Sequence, residues 1–114
     1  MIADLKNKVY KPVYFLWGEE AYYIDLVSSY IAANVLTEAE QSFNQTVLYG
    51  KDSEVGQVSD LARRFPMMSS HQVVILKEAQ EMKGFVDLLA YVNQPQPSTL
   101  LVINYKYKKP DKRQ

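Results

Sequence analysis

The sequence predicts an α/β domain: a three-layer arrangement with a parallel sheet between flanking helices. Two observations lead to it. Short apolar runs recur along the chain at Val13–Trp17, Asn44–Tyr49, Gln72–Leu76 and Thr99–Asn104, and runs of this length with little polar alternation suit parallel strands. Between them lie segments whose apolar residues fall at helical spacing, and such alternation implies a parallel sheet joined by crossover helices.

Each element has its own local signal. Val13-Tyr-Phe-Leu-Trp17 is almost wholly apolar and reads as a strand covered on both faces. The following segment, about residues 20–35, reads as a helix, with Tyr23, Val27, Tyr30, Ile31 and Asn34 at helical spacing and Ile24 and Leu26 widening the apolar surface. Asn44–Tyr49 reads as the second strand, stopped by Gly50. Asp52 or Ser53 can cap a helix running through Val55, Val58, Leu61 and Ala62. Gln72–Leu76 is the third strand. Phe85, Leu88, Leu89 and Val92 stand at i, i+3, i+4 and i+7, which predicts a helix over 82–92, ended by Asn93-Gln-Pro-Gln-Pro-Ser98. Thr99–Asn104 is the fourth strand. A basic tail from Lys106 to Gln114 has no apolar periodicity.

Composition narrows the function classes. The chain has 114 residues, enough for one domain. Lys+Arg and Asp+Glu both number 13, so the basic excess of a general nucleic-acid binder is missing. Without cysteine there are no disulfides, zinc–thiolate sites or thiol nucleophiles. No run approaches 18 apolar residues, and the first six residues do not form a signal peptide. A cytoplasmic protein with no membrane contact is the expectation.

The first strand-to-helix turn is the most telling position. In nucleotide-binding α/β domains this turn carries G-x-x-x-x-G-K-[ST], whose N–H groups and Lys cradle phosphate. Here it is Gly18-Glu19-Glu20. It has one glycine, no lysine and no hydroxyl, and its two carboxylates suit a helix N-terminus but repel a triphosphate. A second replacement falls at the end of the third strand. An ATPase of this type places Asp-Glu there, the Asp to hold Mg²⁺. Here the pair is Lys77-Glu78, and a cation in the metal position disfavours the metal. Asn104 ends the fourth strand where a phosphate sensor can stand, or it simply closes the strand. The nucleotide positions Gly18, Glu19, Glu20, Lys77, Glu78 and Asn104 are thus degenerate, and neither a metal nor a cofactor is expected.

No other catalytic constellation emerges. His71 follows Ser69 and Ser70, but triads are assembled from distant segments, and a solvated loop histidine is expected. Glu38 and Glu40 suit a charged helix end better than an acid/base pair. Tyr14, Tyr23, Tyr30 and Tyr91 fall on apolar faces, which suits core or interface positions. Arg63-Arg-Phe-Pro-Met-Met-Ser-Ser70 is unusual for a loop, because Phe65, Met67 and Met68 follow one another closely around Pro66. Either they fold back as a plug, or they form an exposed apolar finger for a partner's pocket.

Three stretches carry a wider likeness: residues 12–24, PVYFLWGEEAYYI; 62–79, ARRFPMMSSHQVVILKEA; and 91–103 with 109–113, YVNQPQPSTLLVI and KPDKR. In these the sequence resembles the N-terminal domain of the delta subunit of the bacterial DNA polymerase III clamp loader. This likeness implies a P-loop NTPase/AAA+-like fold that has lost ATP binding. By the same likeness, residues 1–114 would form a single AAA+-like N-terminal domain. That domain would be a fragment of a longer chain, ending before the last strand of the sheet and before the lid and collar domains. The resemblance further implies a clamp-loader subunit that binds the sliding clamp (beta subunit) and helps open it for loading on primed DNA. It would work with the other clamp-loader subunits, reach DNA through the full complex, and hydrolyse no ATP itself. The family's clamp-contacting element is an apolar pair just before the third strand, commonly Leu-Phe. The matching residues here are Met67 and Met68, preceded by Phe65 and Pro66. Two other readings stay open on the residues alone: a divergent nucleotide-binding or NTPase domain using Glu78 and Asn104, and a DNA-binding module using Lys106, Lys108, Lys109, Lys112 and Arg113.

Overall fold

The computed structural model describes residues 2–18 and 21–106. Glu19, Glu20 and the tail beyond Lys106, with Lys108, Lys109, Lys112 and Arg113, lie outside the described residues. The elements run α1 (Ile2–Lys6), β1 (Val13–Gly18), α2 (Ala21–Asn34), α3 (Glu38–Asn44), β2 (Gln45–Tyr49), α4 (Val55–Ala62), β3 (Gln72–Lys77), α5 (Leu89–Asn93) and β4 (Thr99–Lys106). Short 3-10 turns occupy Gly50–Asp52, Ala79–Glu81 and Phe85–Leu88.

The four strands form one parallel sheet in the order β1-β4-β3-β2. The predicted α/β class with a central parallel sheet is what the chain adopts. The central strands β3 and β4 are buried almost throughout, because each has a strand on either side and a layer on either face. Alternate side chains separate the two cores. Val73, Ile75, Leu100 and Val102 pack with Leu5, Ile24, Val27, Ile31 and Leu36 on one face. Val74, Leu76, Leu101 and Ile103 pack with Val58, Ala62, Met82, Leu88 and Tyr91 on the other. Each such side chain taken from water contributes roughly 1.5–3 kcal/mol before entropy is charged against it.

Several sequence expectations need correction. β1 is not covered on both faces: Tyr14 and Leu16 are buried, while Phe15 and Trp17 are 47% and 62% exposed. Among the described residues it is an edge strand; its α2 side is covered, while on the other face Val13 is partly buried and Phe15 lies against Phe85 and Tyr105. The buried stripe of α2 is Ile24, Val27, Ser28 and Ile31, so Tyr23 and Leu26 are exposed. Asn44 belongs to α3, not to the second strand. That helix begins with a reciprocal capping box, in which Thr37 Oγ1 accepts from Glu40 N–H and Glu40 Oε1 accepts from Thr37 N–H. Neither Asp52 nor Ser53 caps α4; Glu54 takes that place. The helix expected over 82–92 is broken. Gly84 adopts φ +69°, a conformation suited to glycine, and only the last turn and a half is α-helical.

Candidate functional site

Parallel strands bring all their C-terminal ends to one rim, where ligands of open α/β sheets bind. Gly18 of β1 lies in register with Lys106 of β4, Leu16 with Asn104, and Tyr49 of β2 with Lys77 of β3. The structure therefore assembles Gly18, Lys77, Glu78 and Asn104 on the rim where a nucleotide would sit. Gly18 adopts φ +134°, which lets the chain turn out of the strand without strain from a side chain.

What fills that rim is a network of the chain's own groups. Lys106 Nζ lies 2.9 Å from Asp25 Oδ1 of α2 and 3.2 Å from Glu78 Oε2. Gln80 Nε2 donates to Glu78 Oε1 at 2.8 Å, and Gln80 Oε1 accepts from the Lys106 N–H at 3.0 Å. The hydrogen bond to Asp25, reinforced by Glu78, raises the Lys106 pKa above its ordinary value, against the opposing effect of partial burial. Glu78, the residue an ATPase would use to polarise water, is thus committed to an ion pair. It also sits in the left-handed region at φ +52°. Asn104 is buried, and its Nδ2 donates to Ser28 Oγ of α2 at 3.1 Å. It ties a helix to the sheet and faces inward. Among the described residues, no group of three or more His, Cys, Asp or Glu is placed to hold a metal ion.

The loop between α4 and β3 lies at the opposite, N-terminal rim, about 16 Å away along β3 at the usual strand rise. Its base is firmly built. Gln72 Nε2 donates to the carbonyls of Leu61 at 2.8 Å and Arg64 at 3.0 Å. Ala62 O accepts from Thr99 Oγ1 at 2.7 Å and from the buried Tyr91 hydroxyl at 3.3 Å. These bonds satisfy the carbonyls that a helix C-terminus leaves open.

Beyond this base the loop is apolar and turned to solvent. Phe65 is 79% exposed, Met67 62% and Met68 97%, with Pro66 half-buried between them. Of the two arrangements the sequence allows, the plug is excluded, because these side chains do not fold back onto the core. Met68 has φ +57°, a conformation that costs a residue with a Cβ on the order of 1 kcal/mol or more. Asn44 bonds to the backbone of the preceding residue. Its Nδ2 donates to Met67 O at 2.8 Å and its Oδ1 accepts from Met67 N–H at 2.5 Å. Sequence reasoning missed Asn44, Asp25 and the inward role of Lys106. The Thr37-x-x-Glu40 capping signature was available for α3 and would have put Asn44 on a helix. His71 is half-buried rather than solvated, with its ring edge-on to Tyr10 at 5.2 Å and Nδ1 3.0 Å from Ser70 Oγ.

Comparison with known proteins bears on the family and the fold. The family model described as DNA polymerase III, delta subunit, matches residues 14–114. The curated DNA polymerase III subunit delta of Bacillus subtilis is 28% identical, over 96% of this chain and 35% of its own length. The solved Bacillus subtilis DNA clamp loader delta protein superposes with a TM-score of 0.83 at 28% identity, covering 99% of this chain and 36% of that one. A DNA polymerase III gamma-subunit-related protein of Thermotoga maritima shares the fold, with a TM-score of 0.57 at 18% identity over 82% of this chain and 34% of its own. The chain spans about a third of the length of the relatives it matches. With the family model covering almost all of the sheet and both rims, the chain belongs to the DNA polymerase III delta subunit family.

Proposed function

We propose that this chain is the part of a clamp-loader delta subunit that grips the sliding clamp, through the loop carrying Phe65, Met67 and Met68, and hydrolyses no ATP. The observation that carries the reading is the exposure of three large apolar side chains on a loop whose base is held by buried hydrogen bonds. Solvent-facing apolar residues on a fixed scaffold suit insertion into a partner's pocket, where a few anchors carry most of the affinity. The resemblance implies such an element in front of the third strand, at the position of Met67-Met68.

The opposite rim supports the same reading. A phosphate entering between β1 and α2 would meet Asp25 and Glu78 already paired with Lys106, and Lys77 stands in place of a metal-binding carboxylate. The proposed partners are the sliding clamp, the other clamp-loader subunits, and primed DNA through the assembled loader. Clamp opening follows if the bound loop favours an open or strained clamp interface, since a ligand shifts an equilibrium only by its differential affinity.

The test is clamp binding by the full chain, measured by surface plasmon resonance. Met67→Ala with Met68→Ala is expected to weaken binding by about 100-fold or more, the scale of two truncated anchors. Unchanged affinity would remove the loop assignment.

A further inference from the structure

Asn44 is the last residue of α3 and is 2% exposed. Its carboxamide holds both backbone polar groups of Met67, a residue 23 positions away, and its Nδ2 also lies 3.2 Å from Glu40 O of its own helix. An amide side chain offers a donor and an acceptor side by side, which is what a single residue's N–H and C=O require. The hold falls one residue before Met68, the position with φ +57°. Met68 is 97% exposed, so packing of its own side chain does not set that conformation.

We propose that Asn44 is the positioning residue of the docking loop. Its carboxamide fixes the Met67 backbone, so that Met68 is presented outward in its left-handed conformation before the clamp arrives. The proposal rests on the clamp-binding reading given above. A loop already ordered in its bound shape avoids the ordering loss that a mobile loop suffers on binding. Asn44 therefore acts on affinity without touching the partner.

The experiment uses the full chain, with site-resolved hydrogen–deuterium exchange for the loop and surface plasmon resonance against the sliding clamp. In Asn44→Ala, exchange at the Met67 amide is expected to accelerate while the β3 amides stay protected, and clamp affinity to fall about 10-fold. In a Met68→Ala background the same substitution should cost less than it does alone, because the residue it positions has been truncated. Asn44→Asp, of the same size, keeps the acceptor for Met67 N–H and loses the donor for Met67 O; it should weaken binding in the same direction and guards against misfolding of the alanine variant. Unchanged Met67 exchange overturns the proposal. So does faster exchange with unchanged affinity, or an affinity loss equally large in the Met68→Ala background. In those cases a loss on Met67→Ala with Met68→Ala leaves the docking loop standing. If that double substitution has no effect, the docking reading itself fails, and the role of Asn44 with it.

Discussion

Lys106 and Asp25 meet at 2.9 Å, joining the end of the fourth strand to the first helix of the vacated nucleotide rim. The Lys106 pKa lies above the ordinary 10.5, chiefly through its hydrogen bond to Asp25 and then through Glu78. A group whose folded pKa is raised adds stability that is fully present below its unfolded value and is lost as pH rises through the folded one. The difference in unfolding free energy between the parent and Lys106→Met is therefore expected to stay level up to pH 10.5 and to shrink above it. Both partners are partly solvated, so the plateau is about 0.5–1 kcal/mol. Urea denaturation across alkaline pH measures it.

Gly50 closes the second strand against the turn that carries Glu78. A Cβ at this position would stand 2.3 Å from the Glu78 backbone oxygen and 3.1 Å from its carbonyl carbon. Because the obstacle is backbone, a side-chain rotation cannot relieve it. Gly50→Ala is expected to destabilise by about 2–3 kcal/mol, the range of a strained insertion, and to lower the thermal midpoint in calorimetry.

Tyr91 is fully buried, and its hydroxyl donates to Ala62 O and accepts from the Gln96 N–H at 3.0 Å. Tyr91→Phe removes both bonds and leaves the Gln96 N–H without its acceptor. A loss of about 1–3 kcal/mol is expected in chemical denaturation. Tyr14→Phe makes a control of the same chemistry, since its hydroxyl accepts a single bond, from the Lys11 N–H at 2.9 Å; it should cost less.

Met68→Asn separates stability from docking. Asparagine tolerates the left-handed conformation better than methionine does, and the native side chain makes little use of its surroundings at 97% exposure. Stability is expected to be unchanged or to rise by a few tenths of a kcal/mol. Clamp affinity is expected to fall roughly 10-fold or more for loss of an apolar anchor. Parallel thermal-shift and resonance measurements check the two halves.

The strands and the rims were legible in the sequence because their signals are local. Apolar runs marked the sheet, and Gly18, Lys77 and Glu78 could be compared with a motif of known spacing. The exposed finger was half legible: the composition of residues 65–68 singled it out, but only the fold shows which way Phe65 and Met68 point. Other features escaped for physical reasons. α3 buries little besides Asn44, so it has no apolar stripe to find. The stretch over 82–92 keeps a helical period, yet Gly84 at φ +69° breaks it. Asp25, Glu78 and Lys106 come from three elements and meet only through tertiary structure. The edge position of β1 follows from strand order, which apolar content does not encode.

The strand order β1-β4-β3-β2 has a consequence for how the chain is made. β1 is made before the other three described strands, yet its only sheet neighbour among the described residues is the last of them. At roughly 5–20 residues per second, about 4–18 s separate completion of Gly18 from that of Lys106. Throughout that interval Tyr14 and Leu16 have no completed sheet to enter, and Phe15 and Trp17 remain open to chance contacts. Closure of the sheet at β1 is therefore a late event, which waits for the whole of β4 to be made.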